Sequence, residues 1–569
     1  MRFRCGECSE IEHSVPDQFG KVMATAGTVS IAVPERVAGT SRSRTETAAF
    51  GQHVAHISRQ SSVFFIGTMF TAAAGYLFRV YLARRLGAEA LGIYALGMTI
   101  VNFLAIFNCL GLPQSAVRFV ASYSATGRWE QLGRFLGRSC AVLLACNLPI
   151  LAVMVTIGPW FAVRFYHAPA LVPLLWLFAL IMLLGNFTTF FGQALTGYKD
   201  VSRRTVITNF IGSPLTMAAT VILLVIGAGL RGYILAQLAG ATIVLLLLIV
   251  SVWKLTPVAA RNAVSGRLRL EKEVVSFSTV SLGIALLELL MSQSDKVFVG
   301  MYLSARDVGV YAMAMTLVAF VPVALQSVNQ IFSPVIADLH ARGEQELLGR
   351  LFQTLTKWIL GLTLPLAMVV MIFSRPLMSI FGRDFEAGWP ILVIGTLGQL
   401  INCAAGSAGY LLLMSGNQRR LIRVQAVIGA LTPLFSLALI PKWGMVGAAI
   451  VAAVTGAVCN MLCLREVFKA LRVQPYNRGY VKLIPPLVSV LAICILLSRT
   501  FLPSHSPAVT IACALLVSYA VFTGLTLTLG LSADDQLVAT VVTSKLWMFP
   551  RAKSGPRLSA QGRPEETPV

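Results

Sequence analysis

Arg79-Val-Tyr-Leu-Ala-Arg-Arg-Leu-Gly-Ala-Glu-Ala-Leu-Gly-Ile-Tyr-Ala-Leu-Gly-Met-Thr99 returns later in the chain, without a gap, as Lys296-Val-Phe-Val-Gly-Met-Tyr-Leu-Ser-Ala-Arg-Asp-Val-Gly-Val-Tyr-Ala-Met-Ala-Met-Thr316. Leu86 matches Leu303, Ala88 matches Ala305, Gly92 matches Gly309, Tyr94-Ala95 matches Tyr311-Ala312 and Met98-Thr99 matches Met315-Thr316. The matched residues lie in a polar turn between apolar stretches, so shared hydrophobicity does not explain them. Six apolar stretches separate the copies, an even number, so both copies run in the same direction. Parallel repeats predict two bundles related by an axis along the membrane normal, with a central cavity between them.

Working outward, apolar stretches of about 20 residues recur along the chain, the length that crosses about 30 Å of hydrocarbon. Clean examples are 141–158, 206–227, 233–253, 391–414 and 508–530. The spacing predicts about fourteen spans, beginning near residues 61, 91, 138, 170, 205, 232, 275, 308, 355, 390, 421, 444, 482 and 508. Of the 569 residues, 56% are hydrophobic and 12% charged. A soluble domain carries about 25% charged residues, so this composition excludes one. The fold class is therefore all-α: a polytopic membrane protein of about 14 transmembrane helices in two parallel-repeat bundles.

The formal net charge of +22 follows topology and is no nucleic-acid footprint. Connections after even-numbered spans carry about 23 Lys and Arg, those after odd-numbered spans about 9. Positive charge marks the cytoplasmic side, which predicts both termini cytoplasmic. Five segments are expected: a disordered tail over 1–58, an N-terminal bundle over 59–270, a C-terminal bundle over 271–472, two additional spans over 473–532 and a tail over 533–569. Cys5-Gly-Glu-Cys8 is a lone pair without the second pair a zinc site needs, and the remaining cysteines lie singly among apolar residues. No metal or cofactor is expected.

Arg84-Arg85-Leu86-Gly87-Ala88-Glu89-Ala90-Leu91-Gly92-Ile93-Tyr94 resembles the R-x-L-G-x-x-x-x-G-x-Y signature of oligosaccharide flippases. Asp295-Lys296 with Gly309-Val310-Tyr311 resembles its counterpart in the second half. On these motifs the chain, over about residues 58–532, is similar to Wzx-type polysaccharide biosynthesis proteins of the multidrug/oligosaccharidyl-lipid/polysaccharide exporter superfamily. The resemblance implies a transporter that moves undecaprenyl-pyrophosphate-linked sugar units from the cytoplasmic to the periplasmic leaflet of a bacterial inner membrane. O-antigen, capsule or exopolysaccharide would be the product. Membrane lipid, and polysaccharide polymerase and glycosyltransferases, are the further expected partners.

An ionisable group inside a span is expensive unless it faces water or a partner, so each is a candidate. Arg79 and Lys296 stand at equivalent repeat positions, and a cation from each bundle suits a pyrophosphate. The alternative is that both snorkel to the interface. Glu288 lies near the middle of the seventh span and Asp295 seven residues on, on the same helical face. They are the candidate ion-coupling carboxylates; a structural hydrogen bond is the plain alternative. Among the span amides, Gln326, Asn329 and Gln330 share a face and suit sugar hydroxyls. Asn102, Asn186, Gln193, Asn209, Gln237, Gln293, Gln399 and Asn402 fit cavity lining or interhelical bonding equally. Pro113, Pro214, Pro322, Pro365 and Pro433 are expected to kink helices or mark span ends.

Two other function classes fit the residues less well. A multidrug/cation antiporter of the same superfamily would favour carboxylates and aromatics in its cavity, whereas this chain offers Arg79 and Lys296. A polytopic glycosyltransferase or ligase would need a sizeable acidic or histidine-rich loop. The longest internal loop, 254–272, is basic with Glu271 its single acid. No enzyme is expected.

Overall fold

The computed structural model describes residues 41–264, 268–501 and 506–529, with side chains from residue 74 onward and Gln330 excepted among the candidate site residues. The chain divides into two units, Met1–Val63 and Phe64–Val569, and the membrane-spanning helices belong to the second. The tail expected over 1–58 lies outside the described residues up to 40, and its remainder from Ser41 is helical. The tail expected over 533–569 lies wholly outside them.

No strand occurs among the described residues, as hydrocarbon demands of an open chain: only a helix satisfies its own backbone there. Eleven helices are long and apolar enough to cross a membrane, and a twelfth span is a pair, Ala305–Val318 and Val323–Asn329, bent by 53°. Two of the eleven, Ala74–Cys109 and Gln418–Leu471, are each broken by a glycine in a non-helical conformation, Gly87 and Gly444. The described residues therefore hold eleven or twelve candidate spans, two of them broken helices, which is compatible with the expected count of about fourteen.

The repeat turn is built twice with different chemistry. In the first copy Gly87 takes φ 78°, a conformation open to glycine at no steric cost. In the second copy Ser304 occupies that place as an N-cap, its hydroxyl accepting the Asp307 N–H at 3.2 Å. Ser and Gly are both favoured at helix starts, by capping and by backbone freedom respectively, so one turn survives two sequences.

The helices after the turns, 88–109 and Ala305–Val318, cross each other between the halves. A methyl on Gly92 would overlap the Ala305 carbonyl oxygen, and one on Gly309 would overlap that of Ala88. The contact is reciprocal: each Ala-x-x-x-Gly copy receives the other, as small residues permit where lipid supplies no hydrophobic drive between helices. Around this crossing lies one apolar core drawn from both halves, with Leu96, Leu171 and Phe178 meeting Val299, Tyr311 and Phe381. Arg84 Nε also donates across it to the Ile380 carbonyl at 2.8 Å.

At the opposite ends of the spans the halves have separate cores. Phe119, Phe135, Phe190 and Val252 form one, Ile336, Phe352, Leu411 and Val467 the other. The halves thus join at the end bearing the 84–89 and 301–307 turns and part towards the other. The start of Lys272–Ser292, just past the expected boundary at 270/271, packs on the N-terminal half. Ser278 and Ser115 share a hydrogen bond of 2.7 Å, Arg118 meets Glu273 at 3.3 Å, and the Tyr123 hydroxyl donates to Glu271 at 3.1 Å. Burial, and then Glu271 beside it, pushes the Tyr123 hydroxyl up to about 12, so it stays a donor.

Candidate functional site: a cationic seam between two chambers

Beneath the helix crossing lies a cavity of about 420 Å³ whose wall includes Arg79, Thr99, Asn102, Gln293, Lys296 and Thr316. Arg79 and Lys296 therefore face one space, each delivered by the helix that leads into its copy of the repeat turn. Thr99 and Thr316, another equivalent pair, line it too. Lys296 Nζ donates to Gln293 Oε1 at 3.0 Å. Its neighbour Asp295 is occupied elsewhere: buried, it accepts the Tyr311 hydroxyl at 2.6 Å through one oxygen, while the other has no hydrogen-bond partner.

The seam cavity opens on either side. Through Arg79, Ala95, Ala312, Thr316 and Phe320 it adjoins a chamber of about 890 Å³ in the N-terminal half, lined by Tyr94, Thr188, Thr208, Tyr233 and Gln237 among others. Through Ala319 it adjoins a chamber of about 640 Å³ in the C-terminal half, lined by Gln326, Asn329, Gln399, Asn402 and Asn460. Both chambers lie against irregular backbone. A π-helical turn, Val206–Gly212, brings Thr208 and Gly212 to the first. The second lies where Trp389–Ala405 ends at Gly406, φ 63°, and restarts at Ala408. Irregular helix at membrane depth is tolerated where it borders a cavity, and π-turns collect at functional sites. Pro322 caps Val323–Ala341 at the bend of the eighth span, beside the same chamber.

Of the site residues expected from sequence, Arg79 and Lys296 line one cavity, and Gln326 and Asn329 line one chamber; the Gln330 side chain lies outside the described residues. Glu288 and Asp295 do not share a face. The helix carrying Glu288 ends at Ser292, Gln293 is non-helical, and Asp295 belongs to the next helix, Ser294–Tyr302. Glu288 is exposed and Asp295 buried. The amides divide as well. Asn186 Nδ2 donates to Asn147 Oδ1 at 2.7 Å, a buried interhelical bond, and Gln193 accepts from Arg204 at 3.2 Å. Asn102, Gln237, Gln399 and Asn402 line cavities. Asn460 and Ser407 line the second chamber without having been expected there, since a lone amide or hydroxyl in an apolar helix gives no sign in sequence of facing a cavity.

Two like-directed helical halves enclosing a polar, internally charged cavity define a multi-pass membrane transporter. Similarity to known proteins agrees. Residues 57–340 match the family described as polysaccharide biosynthesis protein, and residues 281–424 match MatE. The chain belongs to the polysaccharide biosynthesis proteins of the multidrug/oligosaccharidyl-lipid/polysaccharide exporter superfamily. A probable low-salt glycan biosynthesis flippase, Agl15 of Haloferax volcanii, is 22% identical over 415 residues, which span 71% of this chain and 82% of that one. Among solved structures, the lipid II flippase MurJ in an inward closed conformation superposes with a TM-score of 0.65 at 13% identity, over 85% of this chain and 99% of that one. An inward-facing multidrug resistance MATE family transporter gives a TM-score of 0.56 at 16% identity, over 70% and 94%. At these identities the likeness is one of fold.

Proposed function

We propose that this transporter flips a polyprenyl-pyrophosphate-linked oligosaccharide from the cytoplasmic to the periplasmic leaflet of a bacterial inner membrane, by alternating access, for surface polysaccharide assembly. The observation that carries the reading is that Arg79 and Lys296, one from each half, line a single cavity. Two cations facing one water-accessible space attract an anion, the guanidinium as a two-pronged donor and the ammonium as a point charge. Gln326, Asn329 and Gln330 serve the sugar hydroxyls. The crossing end faces the periplasm and both termini the cytoplasm, in accord with the charge bias of the connections. Polysaccharide polymerase and glycosyltransferases act on either side of the step.

The leaflet distribution of polyprenyl-linked oligosaccharide in a deletion strain tests this. Accumulation on the cytoplasmic side is expected, relieved by the wild-type gene and not by Arg79→Ala/Lys296→Ala at equal abundance. Complementation by the double variant would sink the headgroup role of the two cations. Asp295 and Glu288 are the proposed coupling carboxylates; Glu288→Gln is expected to flatten the pH dependence of transport, and an unchanged profile removes it from that role.

A multidrug/cation antiporter is the second reading, favoured by one observation: a carboxylate, Asp295, is buried next to the seam. The cations exposed to the cavity weigh against it. Cationic-dye efflux with an undisturbed leaflet distribution would bring it to the front.

A further inference from the structure

We propose that the chamber in the C-terminal half selects on the charge of the sugar, accepting an uncharged glycosyl unit next to the phosphates and rejecting one that bears a carboxylate. The inference rests on the flippase reading and adds a substrate class to it.

Three observations carry it. First, no charged side chain lines this chamber among the described residues, whereas the adjoining seam holds both Arg79 and Lys296. Phosphates drawn to the seam thus leave the next unit of the headgroup in a neutral space. Second, two buried polar atoms at the chamber wall, Asn329 Oδ1 and Ser407 Oγ, have no hydrogen-bond partner, although Asn329 is 7% exposed and Ser407 only 2%. Buried polar groups are normally paired, and an unsatisfied one in a transporter cavity points to a partner that comes with the cargo. Third, Ser407 follows the left-handed Gly406 that breaks its helix, so the hydroxyl is set at a helix interruption, the kind of element from which transporters build binding sites.

The chemistry of those atoms decides between sugars. Asn329 Oδ1 can only accept, so it needs a donor, which on a sugar is above all a hydroxyl. A sugar hydroxyl donates to it and accepts from neighbouring groups such as the Ser407 hydroxyl. An ionised carboxylate is an acceptor only. Set against Asn329 Oδ1 it would place two acceptors together, with no cation in the chamber wall to offset the burial of its charge.

The test uses the full chain in lipid nanodiscs with three probes: farnesyl pyrophosphate, its neutral digalactosyl conjugate, and the conjugate in which galacturonic acid replaces the first galactose. The neutral conjugate is expected to bind at least about ten-fold tighter than farnesyl pyrophosphate, and the uronate conjugate no tighter than it. Ser407→Ala, a change of one atom, and Asn329→Leu should each shrink the ratio between neutral conjugate and sugar-free probe. Equal affinity for the two conjugates overturns the inference, as does a neutral conjugate that gains nothing over farnesyl pyrophosphate or a ratio untouched by both variants; in each case the flippase reading stands. Failure of farnesyl pyrophosphate itself to bind, with Arg79→Ala/Lys296→Ala indistinguishable from wild type, overturns both.

Discussion

Asp295 concentrates the cost of charge in this fold, being buried with the Tyr311 hydroxyl as its side-chain hydrogen-bond donor. Tyr311 is itself fully enclosed, so water cannot replace it. Tyr311→Phe leaves the carboxyl without that donor and is expected to lower stability by about 1–3 kcal/mol, read as a lower melting temperature in detergent. Adding Asp295→Asn to that variant replaces the stranded carboxyl by a neutral amide of the same shape and should restore most of the loss. A Tyr311→Phe protein that melts with the wild type contradicts the account. At this scale the sequence was legible where charge interrupts an apolar span: Arg79 and Lys296 stand out because they fall at equivalent positions of the two repeats, each at the end of an apolar stretch. It was illegible for the pairing of Glu288 with Asp295. The helix breaks at Gln293 with neither proline nor glycine to announce it, so a seven-residue spacing that implies one face bridges two helices.

The helix crossing is where the repeat acquires its structural meaning. Ala88 and Gly92 lie one turn apart, as do Ala305 and Gly309, and each pair accepts the backbone of the other helix. Gly309→Ala or Gly92→Ala places a methyl against a carbonyl oxygen that belongs to rigid backbone, so the helices must move apart. Overpacking of this kind costs about 1–3 kcal/mol. The crossing is expected to loosen: in a background lacking other cysteines, Thr99→Cys, inside the seam, should react faster with an impermeant thiol reagent added from the periplasmic side. Unchanged labelling and stability in both glycine variants would show that the crossing is no barrier. The matched glycines were visible in the sequence because the turn between them is polar and unlike its flanks. The chambers were not, because an amide in a membrane helix serves a neighbouring helix as readily as a cavity, as Asn186 and Asn402 show by taking opposite roles.

For the whole molecule, one core shared at the crossing end and two separate cores at the other describe a cavity closed on one side and parting on the other. Alternating access then requires the shared core to divide while the two separate cores approach, with each half keeping its own packing. At the crossing end the contacts between halves are few in kind: the glycine crossing, an apolar patch, and the Arg84 bond to the Ile380 carbonyl at 2.8 Å; at the other end the start of Lys272–Ser292 stays on the N-terminal half through Ser278 and Glu273. The Arg84 contact offers a means of holding the state. In a cysteine-free background, Arg84→Cys with Ile380→Cys should be joined by a short bifunctional thiol reagent without substrate present, fixing the crossing end shut. A joined protein is expected to lose essentially all transport while still binding farnesyl pyrophosphate from the cytoplasmic side, and cleavage of a reducible linker should return it. Transport that persists in fully joined protein would mean that this end never opens, and the seam would have to release its cargo by another route.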